Sequence, residues 1–276
     1  MIYEKLNIWD SYDGKMHTDA TMSVYVPDVT KEIDLDRKFK AVLICPGGGY
    51  TFTSDREAEP VALAFLAKGI AAFVLRYSVA PAKYPTALLE ASRAMWLIRQ
   101  NSDKWHINTD DIAICGFSAG GHLAASLGTL WNEKFIADEL GMPEGANKPN
   151  KLILGYPVII YGEGRMHCHS FYNLLGENLP DEDYLALSLE KRVGPHTPPS
   201  FIWHTFSDSC VPVDSSLGFA LALRKNKIPF EMHIYPEGDH GSSLCDSRTA
   251  GPQSSSVVLP YVANWIDHCT KWMLEY

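Results

Sequence analysis

Long apolar runs are missing from this 276-residue chain: no stretch approaches the roughly 18 apolar residues that a membrane-spanning helix needs. Runs of Lys or Arg are missing too. With a formal net charge of −9, that argues against a nucleic acid or an anionic membrane surface as partner. The six cysteines, Cys45, Cys115, Cys168, Cys210, Cys245 and Cys269, are scattered and form no C-x-x-C pair, so they read as reduced, mostly structural thiols. Residues Met1–Lys15 lack a basic start, an apolar run and a small-residue cleavage site, and a cytoplasmic location is expected. No internal repeat or low-complexity segment occurs. What remains is an ordinary globular composition, 46% hydrophobic and 21% charged, which excludes a disordered chain.

Short apolar runs alternate with helix-period segments, the pattern of βαβ units around a mainly parallel sheet. The runs are Ser23–Asp28, Ala41–Pro46, Ile70–Tyr77, Asp111–Phe117, Lys151–Val158, Ser200–Phe206 and Phe230–Pro236. Most are nearly continuous in apolar residues, as strands buried on both faces require. Between them, Arg56–Gly69, Tyr84–Asn101, Val211–Asn226 and Val258–Tyr276 carry helical periodicity. Ser54-Asp55-Arg56-Glu57 fits a capping box, so Asp55 and Glu57 are read as a helix start. Two stretches, about 131–150 and 159–199, break the rhythm and are expected to be insertions that form a partial lid. The whole of 1–276 is read as one α/β domain.

Gly116-Phe117-Ser118-Ala119-Gly120 matches G-x-S-x-G, the sharp strand-to-helix turn that presents a serine hydroxyl at the top of a sheet. The pentapeptide alone is weak, but an apolar strand precedes it and a helical segment follows. A serine needs a base, and the base needs an orienting acid. In this fold the chain order is Ser, then Asp or Glu, then His. His240, in a loop just after the last apolar strand, satisfies that order; His204 and His233 lie inside strands and read as hydrogen-bonded sheet residues. His122, four residues past Ser118, reads as helix packing with a polar tip. For the acid, Asp208 lies just beyond a strand, at the serine's end of the sheet. Asp214 reads as the first turn of a helix, and Asp239 is too close to His240 in sequence to face it.

Tetrahedral chemistry also needs donors for an oxyanion. Cys45-Pro46-Gly47-Gly48-Gly49-Tyr50 follows a strand as an HGGG-type loop does, with Pro46 in place of the His. The amides of Gly48, Gly49 and Ala119 are the expected donors. Tyr50, directly after the glycines, and His169, in the second insertion, are expected to touch substrate. Arg76 reads as tying down a neighbouring loop, and the tryptophans as core. His167-Cys168-His169 lacks a second cluster at a fitting spacing, so no metal is expected.

With these residues in view, the chain resembles α/β-hydrolases of the esterase type, and more narrowly bacterial acetylxylan-esterase-like (carbohydrate acetyl esterase) proteins related to the hormone-sensitive-lipase group. The resemblance runs from about the second strand to the C-terminus. It rests on PGGGY, VLRYSVAPAKYPTALLEASRAMWLIRQN, ICGFSAGGHLAASLG, SFYNLLGEN, SLEKRVGPHTPPSFIWHTFSDSCVPV and IYPEGDHG. It implies Ser118, Asp208 and His240 as a triad, Gly48, Gly49 and Ala119 as the oxyanion site, and release of a short acyl group, usually acetyl, from a sugar or small alcohol. No cofactor is expected, and the partner is a small-molecule ester; a homo-oligomer stays open. The rival readings are a lipase-like carboxylesterase or small peptidase on the same residues, or a non-catalytic small-molecule-binding relative.

Overall fold

The computed structural model describes residues 1–162, 167–252 and 255–276. Eight strands form one sheet: β1 (Ile2–Asn7), β2 (Thr21–Val26), β3 (Phe39–Cys45) and β4 (Ala71–Arg76), then β5 (Ile107–Phe117), β6 (Lys151–Gly155), β7 (Ser200–Thr205) and β8 (Phe230–Tyr235). Their spatial order is β1-β2-β4-β3-β5-β6-β7-β8. β1 and β2 run antiparallel to their neighbours, and every pairing from β4 through β3 to β8 is parallel. The chain therefore has the α/β-hydrolase arrangement of a mainly parallel sheet flanked by helices.

Alternating side chains explain the two-sided cover. Along β3, Ala41, Leu43 and Cys45 enter one core, while Val42 and Ile44 enter the other. The first core packs under α2 (Thr86–Gln100) and α3 (Ser118–Leu130). The second packs under α1 (Glu59–Leu66) and the C-terminal helix Trp265–Glu275, where the buried Trp203 and Trp265 rings stack 5.0 Å apart. Each large apolar side chain so buried contributes roughly 1.5–3 kcal/mol.

The first strand, Ile2–Asn7, was not among the expected ones. It lies at an edge, its burial alternates, and its polar half hides the apolar pattern. The insertion 131–150 contains α4 (Lys134–Leu140), and 159–199 contains α5 (Cys168–Leu175) and α6 (Asp181–Leu185); Glu163–Met166 of the latter lie outside the described residues. Next in order come α7 (Asp214–Lys225) and, as α8, the C-terminal helix. The expected helix over 56–69 is shorter than its periodicity, preceded by a separate 3-10 turn at Asp55–Glu57, and Ser54 makes no side-chain cap. Among the described residues no helix is long and apolar enough to cross a membrane.

Candidate active site

Ser118 sits where β5 ends and α3 begins, with a left-handed φ of 52° that a non-glycine residue adopts only under constraint. The flanking glycines make that turn possible. A Cβ on Gly116 would lie 2.0 Å from the Gly120 carbonyl oxygen, and one on Gly120 would lie 2.1 Å from that of Cys45. The helix must pack directly on the strand, and only glycine leaves the room.

Beside Ser118 Oγ, at 2.8 Å, is His240 Nε2; on the other side of the ring, Nδ1 lies 2.6 Å from Asp208 Oδ2. Burial alone would raise the Asp208 carboxyl. Hydrogen bonds from His204 and His240, the facing imidazole and the Val211 amide outweigh it and hold the group far below the usual carboxylate range. An ionised carboxylate only accepts, so His240 carries its proton on Nδ1 and turns the Nε2 lone pair to the serine hydroxyl. The backbone amides of Cys210 and Val211 donate to Asp208 Oδ1, each at 2.9 Å. That is the connectivity needed to take a proton from a serine hydroxyl and stabilise the resulting imidazolium.

His204 adds a contact that strand placement alone did not suggest. Its Nε2 lies 2.9 Å from the Val211 carbonyl, which can only accept, so that nitrogen bears hydrogen and also faces Asp208 Oδ2 at 3.3 Å. Its Nδ1 then accepts from Ser216 Oγ at 2.8 Å. His233, as a sheet residue, donates to Glu231 at 2.8 Å.

After β3 the chain turns through Gly48 (φ 130°) and Gly49 (φ 63°). Thr51 N and Oγ1 donate to the Gly48 carbonyl, Asn173 of α5 donates to that of Gly49 at 2.7 Å, and Tyr77 donates to that of Pro46 at 2.6 Å. The carbonyls are thus tied down, whereas among the described residues no protein acceptor takes the amides of Gly48, Gly49 or Ala119. Gly48 and Gly49 line the same cavity as Ser118, and Ala119 is buried in the first turn of α3.

That cavity has a volume of about 440 Å³ and also takes in Glu57, His167, His169, Cys210 and His240. His169 therefore reaches the site from the second insertion, as its position suggested, and His167 joins it. Burial first, and then the nearby His240 and His169 rings, lower the His167 imidazole. Tyr50 requires correction as a substrate contact: it is buried, and its hydroxyl is 2.9 Å from His122 Nδ1. His122 in turn donates from Nε2 to the Leu187 carbonyl at 3.0 Å, so Tyr50 ties the glycine loop to α3, and His122 ties α3 to the insertion.

Glu57 requires the larger correction. It caps no helix: the residue is 3% exposed, and Oε2 accepts the Gly47 amide at 2.6 Å while Oε1 accepts the Tyr156 hydroxyl at 2.7 Å. Burial pushes its carboxyl up, against the hydrogen bonds that favour the charged form. Asp55 is exposed and pairs with Arg76, which also holds the Thr53 carbonyl, as expected of a loop tie.

Comparison with known proteins agrees with this architecture. The BD-FAE family model matches residues 22–223. Endo-1,4-β-xylanase B of Butyrivibrio fibrisolvens is 38% identical over 88% of this chain and 38% of its own length. Acetylxylan esterase of Xylanibacter ruminicola is 33% identical over 86% of this chain and 45% of its own. The chain therefore spans less than half the length of these two relatives. An acetyl ester-xyloside bifunctional hydrolase from Caldicellulosiruptor lactoaceticus superposes with a TM-score of 0.82 at 37% identity, covering 98% of this chain and 95% of that one. The strand order, the serine turn and the family match lead to one conclusion: this chain belongs to the BD-FAE family of α/β-hydrolases.

Proposed function

We propose that the chain is a serine esterase that removes short acyl groups, acetyl above all, from sugars or small alcohols. The observation that carries this reading is the unbroken hydrogen-bond chain from Ser118 through His240 to Asp208 inside a cavity. In the proposed reaction Ser118 Oγ attacks the ester carbonyl carbon while His240 Nε2 takes its proton. The amides of Gly48, Gly49 and Ala119 receive the developing oxyanion, and Asp208 holds the imidazolium. As the tetrahedral centre collapses, the C–O bond to the alcohol breaks and His240 returns the proton to the leaving oxygen. Water, deprotonated by the same imidazole, then cleaves the acyl-enzyme and frees the acid and Ser118.

The acetyl preference and the sugar draw support from the names of two relatives, an acetylxylan esterase and an acetyl ester-xyloside hydrolase. The lining also supports a polyhydroxylated alcohol, because His167, His169 and Asn173 give the cavity several hydrogen-bonding side chains.

Initial rates on p-nitrophenyl acetate, butyrate and octanoate, with Ser118→Ala in parallel, test the reading. Rates highest on acetate and abolished in the variant are expected. A preference for octanoate would move the assignment to a lipase-like enzyme, and equal activity in both proteins would overturn the role of Ser118.

A further inference from the structure

Glu57 is a buried carboxyl that the proposed reaction does not use, and among the described residues it has no ion-pair partner. Burying such a group is costly, and it is kept here with both carboxyl oxygens hydrogen-bonded. Its two hydrogen bonds reach two separate parts of the site. Oε2 holds the amide of Gly47, the residue that leads into Gly48 and Gly49. Gly47 is wedged there: a Cβ on it would lie 2.8 Å from Glu57 Oε2 and 2.9 Å from Ser118 Cβ. Displacing the carboxylate therefore displaces the glycine loop relative to the serine.

Oε1 holds Tyr156, whose ring packs edge-on against His240 with centroids 5.0 Å apart. The Tyr156 hydroxyl accepts the Ser243 amide at 2.9 Å, three residues beyond His240, which leaves its proton free for Glu57. Ser243 Oγ donates back to the Arg56 carbonyl at 2.6 Å, closing the circuit on the Glu57 turn.

We propose that Glu57 is a positioning residue: its carboxylate fixes the glycine loop and the His240 loop in one frame around Ser118. The inference rests on the esterase reading above. Because it acts on the geometry of the reacting groups and touches only one wall of the cavity, its loss falls on kcat. Glu57→Gln keeps the size, but its NH2 must face either the Gly47 amide, which can only donate, or the Tyr156 hydroxyl, which must then turn its own proton away, so one of the two links is lost or reversed. Tyr156→Phe removes the link to the His240 loop and leaves Gly47 held.

The test measures kcat and KM on p-nitrophenyl acetate, the rate of covalent labelling by a phosphonate ester, and thermal unfolding, in wild type, E57Q, Y156F and S118A. Expected for E57Q is a fall in kcat of about 10²-fold, the size of loss that a misplacement near 1 Å brings. KM should stay within about threefold and labelling should slow by about the same factor as kcat, while the protein still unfolds cooperatively; Y156F should show the same split at about tenfold. A wild-type kcat in E57Q, or a loss confined to KM, overturns the proposal. Should E57Q fail to fold, Y156F decides alone, and a wild-type kcat there overturns it. Labelling that survives in S118A would sink the esterase reading and this inference with it, whereas labelling lost in S118A with E57Q fully active sinks this inference only.

Discussion

Asp208 has every face of its carboxylate engaged: two amides on one oxygen, two imidazoles on the other. Such saturation fixes both the charge and the direction of the group, and direction is what an amide would lose. In Asp208→Asn the oxygen or the NH2 must face His240. With the NH2 there, the imidazole is driven to the tautomer with hydrogen on Nε2, where it can no longer accept from Ser118. A fall of about 10⁴-fold in kcat is expected, with unfolding close to wild type. Rates measured across p-nitrophenyl acetate concentrations check it; a loss below tenfold would mean that His240 does not depend on this carboxylate. Residue by residue, Ser118, Asp208 and His240 were legible because chain order and strand ends are properties of sequence. His204 and Glu57 were not. The pattern Ser-x-x-Glu is identical whether the glutamate caps its own helix or reaches Gly47, ten residues back, and Tyr156, ninety-nine residues on.

At the level of elements, the turn from β5 into α3 shows what a short motif can carry. Gly116 and Gly120 face each other at the crossing, and Gly120 also abuts the end of β3. Gly120→Ala would push a methyl to within 2.1 Å of the Cys45 carbonyl oxygen at the buried end of β3, where neither partner can retreat. We expect that variant to lose several kcal/mol of stability or to fail to fold, read as a lowered urea midpoint; a midpoint within error of wild type would show that the helix can slide. The inner parallel strands were visible as nearly unbroken apolar runs because both of their faces are covered, whereas β8, at the edge, buries only Tyr235. α5 and α6 were not, since elements of 8 and 5 residues span too few turns for a helical period to stand out from a loop. Their site residues suffered accordingly: His169 was found by position, while His167 was seen only as a rejected metal ligand.

For the whole molecule, His122 couples folding to pH. It sits fully buried in α3, accepting from Tyr50 and donating to Leu187, so it joins the serine's helix to the glycine loop and to the second insertion. Burial, only partly opposed by the Leu187 hydrogen bond, lowers its imidazole from 6.5 to about 4. The unfolded chain therefore takes up a proton that the folded chain refuses. The stability tied to neutral His122 is fully present above pH 6.5 and is lost as pH falls toward 4, by about 3 kcal/mol over the interval. Glu57 and Glu90 work in the opposite direction, because burial raises both carboxyls and folding then favours their protonation. Asp208, held low, gives up its share only in stronger acid. Urea midpoints measured between pH 7 and pH 4 should fall steadily in the wild type and more shallowly in His122→Gln, which keeps a donor and an acceptor but cannot titrate. Parallel slopes in the two proteins would assign the acid sensitivity to other groups and leave His122 a packing residue alone. A steeper wild-type slope would mean that the acid sensitivity rests on neutral His122, the residue that ties the serine's helix to the glycine loop and to the second insertion.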